Sequence, residues 1–130
     1  MIKDQTMELA IQQAKSAAAR DEVPVGAVIQ DASGKIIAKE SNKTIELCDP
    51  TAHAEINAIR MASETRKDIY LSDCTMYVTL EPCLMCAGTI INSRLSSVTY
   101  AAYDEKTGVV HSNLRVFENK SINHHTITKG

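Results

Sequence analysis

Tryptophan is absent from the chain and phenylalanine occurs once, so that with four tyrosines the aromatic share is 4%. Stacking platforms for single-stranded nucleic acid are therefore few: Tyr70, Tyr77, Tyr100, Tyr103 and Phe117 are the whole supply. Tyr77 lies inside an expected core strand and is read as packed. An excess of either charge is missing too. Fourteen Lys and Arg against sixteen Asp and Glu give a net charge of -2, with a pI near 6.1, which excludes a broad basic carpet for nucleic acid. The one asymmetry is the C-terminal end, where Lys106, Arg115, Lys120 and Lys129 face Glu118 alone. No apolar run approaches the roughly 20 residues of a membrane-spanning helix, and Met1-Ile-Lys-Asp4 lacks the apolar core of a signal peptide. The expectation is a cytoplasmic protein with no membrane partner. Repeats and low-complexity tracts are absent, and four cysteines without an export signal do not read as a disulfide framework.

What remains is an ordinary globular composition, 44% hydrophobic and 23% charged over 130 residues, enough for one compact domain spanning residues 1–130. From Asp4 to about Arg20, Met7, Ala10, Ile11, Ala14 and Ala18 recur at helical spacing and predict an amphipathic helix. Val25 to Gln30 and Lys35 to Glu40 flank the turn-forming Asp31-Ala-Ser-Gly34 and predict an antiparallel hairpin. After Asp49-Pro50 a second helix is expected over Ala52 to about Arg66. Cys74 to Thr79, then Cys83 to Ser93, then Ser97 to Ala102 read as strand, helix and strand, a crossover that implies parallel pairing. Asp104 to Gly108 is turn chemistry, and His125 to Thr128 is a candidate final strand.

The chemistry gathers at two helix starts. His53 and Glu55 fall in the first turn of the second helix, and Pro82-Cys-Leu-Met-Cys86 opens the third. Cysteines three apart at a helix N-terminus share a face and have lowered thiol pKa, which suits zinc. Three ligands, His53, Cys83 and Cys86, leave the fourth position of a tetrahedral zinc ion for water, whose pKa the metal lowers from about 15.7 to about 7. Glu55 can reach that water as a proton shuttle. A bare Cys-x-x-Cys serves equally as a redox pair or as half of a four-ligand structural site, but the chain has no second one. Cys48 and Cys74 read as small buried hydrophobes, Cys48 being near enough to His53 in sequence for a fourth-ligand role. His124 and His125 would face opposite sides of a strand and make a poor joint site.

Together His53-Ala-Glu55 and Pro82-Cys-Leu-Met-Cys86 match the zinc nucleobase deaminase pattern H-x-E followed by P-C-x-x-C. With Glu22-Val-Pro-Val-Gly-Ala27, Asp49-Pro-Thr-Ala-His-Ala-Glu55, Tyr77 through Gly88 and Asp104-Glu-Lys-Thr-Gly108, the chain resembles the bacterial tRNA-specific adenosine deaminases of the cytidine/deoxycytidylate deaminase superfamily, from Met7 to Gly130. The resemblance implies an α/β class, three-layer α/β/α cytidine-deaminase-like fold with a mixed five-stranded sheet. It also implies one Zn2+ per chain on His53, Cys83 and Cys86, with Glu55 as the catalytic proton carrier. The substrate it implies is the wobble adenosine of a tRNA anticodon stem-loop, converted to inosine by a homodimer. In that likeness Asn42 hydrogen-bonds the flipped nucleoside, Val25 and the backbone at Ala54 frame the base, and Asp104 and Lys106 face the ribose or RNA backbone. The chain departs from the family pattern in three ways. The family's final aromatic and basic helix has no counterpart before Gly130, His111-Ser-Asn113 replaces a commoner Gly-Ser-Leu, and Tyr103 stands where a charge is common, both toward the substrate side. The shorter C-terminus favours an alternative, a free nucleobase or nucleoside deaminase acting on cytosine, guanine or adenosine. A non-catalytic, zinc-stabilised RNA-binding subunit is the reading from another class, and Glu55 beside an open zinc argues against it.

Overall fold

The structure is a computed structural model that describes residues 2–122 and 124–130. Its elements run α1 (Ile2–Ala19), β1 (Gly26–Gln30), β2 (Ile36–Ser41), α2 (Ala54–Arg66), β3 (Thr75–Leu80), α3 (Leu84–Ser93), β4 (Ser97–Ala102) and β5 (Ile127–Lys129), with a 3-10 turn at Val116–Glu118. Asp31 makes the hairpin turn: its Oδ1 accepts the N–H groups of Ser33 at 2.9 Å and Lys35 at 3.0 Å, and Gly34 takes a left-handed φ of 88°. The sheet order is β2-β1-β3-β4-β5. β1 is antiparallel to both β2 and β3, whereas β4 is parallel to β3 and β5 parallel to β4. The mixed five-stranded α/β sheet is thus as the resemblance implies. The last strand falls at Ile127–Lys129, two residues later than expected, and His124 and His125 precede it.

Successive residues of β1 serve opposite faces of the sheet. Ala27 and Ile29 join Ala54, Ala58, Ile59 and Ala62 of α2 and Ile90 of α3 in one buried core. Gly26 faces α1, which makes helix, sheet and helix three layers. A Cβ on Gly26 would overlap the Ala10 carbonyl oxygen and lie 2.7 Å from the Ala14 nitrogen. This close approach selects the smallest side chains of α1. The buried stripe is Thr6, Ala10, Ala14 and Ala17, while Ala18 is exposed and Met7 and Ile11 are only half-buried. The expected stripe through Met7, Ile11 and Ala18 is therefore corrected by a rotation toward the small residues. Thr6 is tolerated there because its hydroxyl donates to Gln30 Oε1 at 3.3 Å.

Between β4 and β5 the chain leaves regular pairing, and one side chain gathers much of the segment that follows β4. Glu81, 2% exposed, accepts the N–H groups of Asp104 (3.1 Å), Val110 (2.9 Å), His111 (2.9 Å) and Ser112 (3.0 Å), and the Ser112 hydroxyl at 2.6 Å. Gly108 passes so close that a Cβ would lie 2.7 Å from Glu81 Oε1. Burial alone would raise the Glu81 carboxyl, but Ser112 and the backbone donors outweigh it and bring it from 4.5 to about 2.

Two outcomes follow from these contacts. Gly26→Ala is expected to destabilise the fold by about 2 kcal/mol or more, because backbone rather than a pliable side chain must move; urea unfolding checks it. A carboxyl lowered this far adds stability of about 3 kcal/mol above its ordinary pKa, which is lost as pH falls from about 4.5 toward 2. Glu81→Gln is therefore expected to lower stability at pH 7 and to flatten the decline between pH 4.5 and 2, read by thermal unfolding across pH.

Candidate active site

Because β1 is antiparallel to β2 and to β3, the latter two run the same way, and β4 runs with them. The C-terminal ends of three strands therefore lie at one edge of the sheet, and α2 and α3 both begin there. His53 is the N-cap of α2 and Cys83 the N-cap of α3, both extended and both without a side-chain capping bond. Each stands one position before its helix rather than in the first turn, which leaves its side chain free to turn toward the other. His53 Nδ1 lies 3.7 Å from Cys83 Sγ and 3.4 Å from Cys86 Sγ. All three donor atoms fall within 4.8 Å of one another. Tetrahedral bonds of roughly 2.05 Å to nitrogen and 2.3 Å to sulfur would separate such donors by about 3.6 Å. The donor set fits zinc.

The thiol pair is arranged to carry negative charge. The Cys86 thiol donates to Cys83 Sγ, and the N–H groups of Cys86 and Met85 at the start of α3 also point at it. Against the opposing burial these contacts hold Cys83 at about 5. The same hydrogen bond and burial push Cys86 up. Glu55, in the first turn of α2, is 4% exposed, and burial is the main reason its carboxyl rises to about 7. Its own backbone N–H pulls the other way, and the Cys83 thiolate adds to the rise.

His53, Glu55 and Cys83 line a cavity of about 210 Å³ together with Val23, Val25, Asn42, Thr44, Leu80, Glu81, Asp104 and Thr107. That is smaller than an ordinary ligand pocket and suits one flat ring rather than a strand. Glu22 holds the loop after β2 much as Glu81 holds the loop after β4. It is 5% exposed and accepts Asn42 Nδ2 at 3.2 Å and the N–H groups of Ile45 at 3.1 Å and Glu46 at 2.7 Å. Burial raises the Glu22 carboxyl, and these donors with nearby Arg20 bring it below its ordinary value.

Of the residues singled out in the sequence, His53, Glu55, Cys83, Val25, Asn42 and Asp104 line this cavity, and Cys86 lies in the ligand group. Ala54 is fully buried at the first position of α2. Lys106 is exposed outside the cavity, and its N–H donates to Asp104 Oδ1 at 3.1 Å. Cys74 is buried as expected, but Cys48 is exposed with a left-handed φ of 49° and stands outside the ligand group. Tyr103 and His111 pack with Tyr100, the Tyr100 hydroxyl meeting His111 Nδ1. Glu22 and Glu81 escaped notice as functional residues. Each precedes a proline, Glu22-Val-Pro24 and Glu81-Pro82, but their donors lie twenty or more residues away and leave no local signal.

Residues 1–102 match the family described as cytidine and deoxycytidylate deaminase zinc-binding region. A curated relative from Agrobacterium fabrum named tRNA-specific adenosine deaminase is 48% identical over 118 residues, covering 91% of this chain and 77% of that relative. A solved structure from studies of A-to-I editing by tRNA:A34 deaminases at the wobble position of transfer RNA matches with a TM-score of 0.93 and 46% identity, covering 96% of this chain and 90% of the other. A guanine deaminase from Bacillus subtilis matches with a TM-score of 0.74 and 39% identity, over 77% of this chain and 64% of its own. With the sheet order, the paired helix starts and the His-Cys-Cys donor set all in place, the chain belongs to the cytidine and deoxycytidylate deaminase family.

Proposed function

We propose that the chain is a zinc-dependent hydrolase that converts adenosine to inosine at the wobble position of a tRNA anticodon stem-loop. Water replaces the 6-amino group and ammonia leaves. The observation that carries this reading is the buried Glu55 carboxyl set beside His53, Cys83 and Cys86 at a one-ring cavity. His53, Cys83 and Cys86 hold one zinc ion per chain, which as a Lewis acid brings a water within reach of deprotonation at neutral pH. Glu55 takes one proton of the attacking water to N1 of the ring, then carries the second, from the new hydroxyl on C6, to the amine, which leaves as ammonia as the C6–N bond breaks. Val25 and the backbone at Ala54 frame the base, Asn42 bonds the nucleoside, and Asp104 and Lys106 face the ribose or RNA backbone. A loop base is already unstacked, so drawing it into so small a cavity costs little.

The likeness to tRNA-specific adenosine deaminases over most of their length supports the RNA substrate. A tRNA substrate puts the enzyme in the cytoplasm, as one deaminase domain acting in a homodimer. No helix among the described residues is long and apolar enough to cross a membrane. The 39% identity to a guanine deaminase favours a second reading, deamination of a free base in the same cavity.

The purified protein, given a stem-loop with adenosine at the wobble position alongside free adenosine, cytidine and guanine, is expected to yield inosine in the stem-loop, read by mass spectrometry. Turnover confined to a free base or nucleoside would replace the RNA reading with the second one. Glu55→Ala is expected to lose about 10²- to 10⁴-fold or more in turnover. Its zinc content, measured by elemental analysis, is expected to stay at the wild-type level, and unchanged turnover would remove Glu55 from the chemistry.

A further inference from the structure

The NH2 end of the Asn42 side chain is committed away from the cavity it lines. Nδ2 donates to Glu22 Oε1 at 3.2 Å and to Thr44 Oγ1 at 3.1 Å. An ionised carboxylate accepts hydrogen bonds and has none to give, so only the NH2 end of the amide can face Glu22. Glu22 is itself immobile, buried and tied to the Ile45 and Glu46 N–H groups. The opposite end of the amide, Oδ1, takes no partner among the described residues. No fully buried side-chain oxygen or nitrogen among them lacks a partner. Since Asn42 is 4% exposed and lines the cavity, Oδ1 is the atom it opens to that space.

We infer that Glu22 is a positioning residue that turns Asn42 to present a hydrogen-bond acceptor to the cavity, and that the group received there is the 2'-hydroxyl of the target ribonucleotide. This rests on the RNA reading above. The adenine ring nitrogens N1, N3 and N7 are acceptors and gain nothing from Oδ1. Within a strand the 3' and 5' oxygens are esterified, which leaves two donors, the 6-amino group and the 2'-hydroxyl. The amino group departs over Glu55 and the metal ligands, so the hydroxyl is the donor left for Asn42. Discrimination between RNA and DNA at this position is then set by a carboxylate that never touches the substrate.

The test uses zinc-loaded wild type, Glu22→Gln and Asn42→Ala on three stem-loops that differ only at the wobble position: adenosine, 2'-deoxyadenosine and 7-deazaadenosine. Wild type is expected to lose about 10-fold in kcat/KM on the 2'-deoxy substrate, chiefly through KM, the scale of one hydrogen bond. A glutamine at position 22 can donate, which frees the amide to flip. Both variants are expected to lose about 10-fold on the ribose substrate and to show a ribose-to-deoxyribose ratio near one. A looser pocket alone slows both substrates in proportion, and a ratio that stays at the wild-type value in either variant overturns the inference while leaving the RNA reading intact. A variant penalty that disappears on the 7-deaza substrate makes Asn42 a donor to the base and overturns it too. If Glu22→Gln fails to fold, the ratio in Asn42→Ala decides by itself. Wild type that is silent on every stem-loop yet turns over a free base overturns the RNA reading, and this inference with it.

Discussion

The direction of three strands governs the site. β2, β3 and β4 run the same way only because β1 is inserted antiparallel between β2 and β3. Their C-terminal ends deliver Asn42, then Glu81 and Cys83, then Asp104 to one edge of the sheet, and α2 returns His53 and Glu55 to that edge from the same side. The helix N-termini bring unpaired backbone N–H groups and partial positive charge. A pair of thiols placed there is drawn toward its ionised form, which is the form a soft divalent cation needs. Neither His53 nor Cys83 spends its side chain on capping. Metal affinity and helix geometry thus come from the same arrangement, and moving either helix start by one residue would aim its ligand elsewhere.

Regular pairing ends where the substrate side begins, and two buried carboxylates take over from it. Glu22 and Glu81 each gather backbone N–H groups from a loop without secondary structure of its own. Such a group is expensive to bury unless its acceptors are filled, and here they are, with no fully buried side-chain oxygen or nitrogen lacking a partner among the described residues. A fully met buried charge admits one loop conformation, because any other leaves lone pairs empty. Two flexible segments are thereby made rigid enough to face a ring in a cavity of about 210 Å³. Gly108, pressed against Glu81 Oε1, shows how tightly one of them is drawn in.

Much of this was legible in the residues. The H-x-E and P-C-x-x-C spacings are local, so His53, Glu55, Cys83 and Cys86 could be read directly. A turn tetrad and a strand-helix-strand succession gave the first hairpin and the parallel β3–β4 pair, whereas the order of all five strands rests on pairings between distant segments. Errors arose where the deciding contact was distant in sequence. Periodicity alone allows several neighbouring stripes on α1, and only Gly26, absent from that helix, selects Ala17 over Ala18. Residue type predicts a buried Cys48, whereas it is exposed with a left-handed φ in a loop whose Ile45 and Glu46 N–H groups bond to Glu22, more than twenty residues away. Glu22 and Glu81 look like ordinary surface acids until their donors are known.

The cavity lining and Glu22 behind Asn42 carry several carboxyl groups, which at first sight make a poor surface for a polyanion. Each is offset by a different local means. Glu81 is surrounded by five donors, Glu22 by three and by nearby Arg20, and Asp104 by its own turn, whose Lys106 and Thr107 N–H groups and Thr107 hydroxyl lower its carboxyl. Glu55 is the exception, its carboxyl being raised to about 7, chiefly by burial. Backbone dipoles aimed inward at carboxylates spread their charge over the loops instead of projecting it outward. On the RNA reading proposed above, a phosphate strand beside the cavity would meet hydrogen-bonded acceptors of reduced field, and the base within it would meet the Glu55 carboxyl.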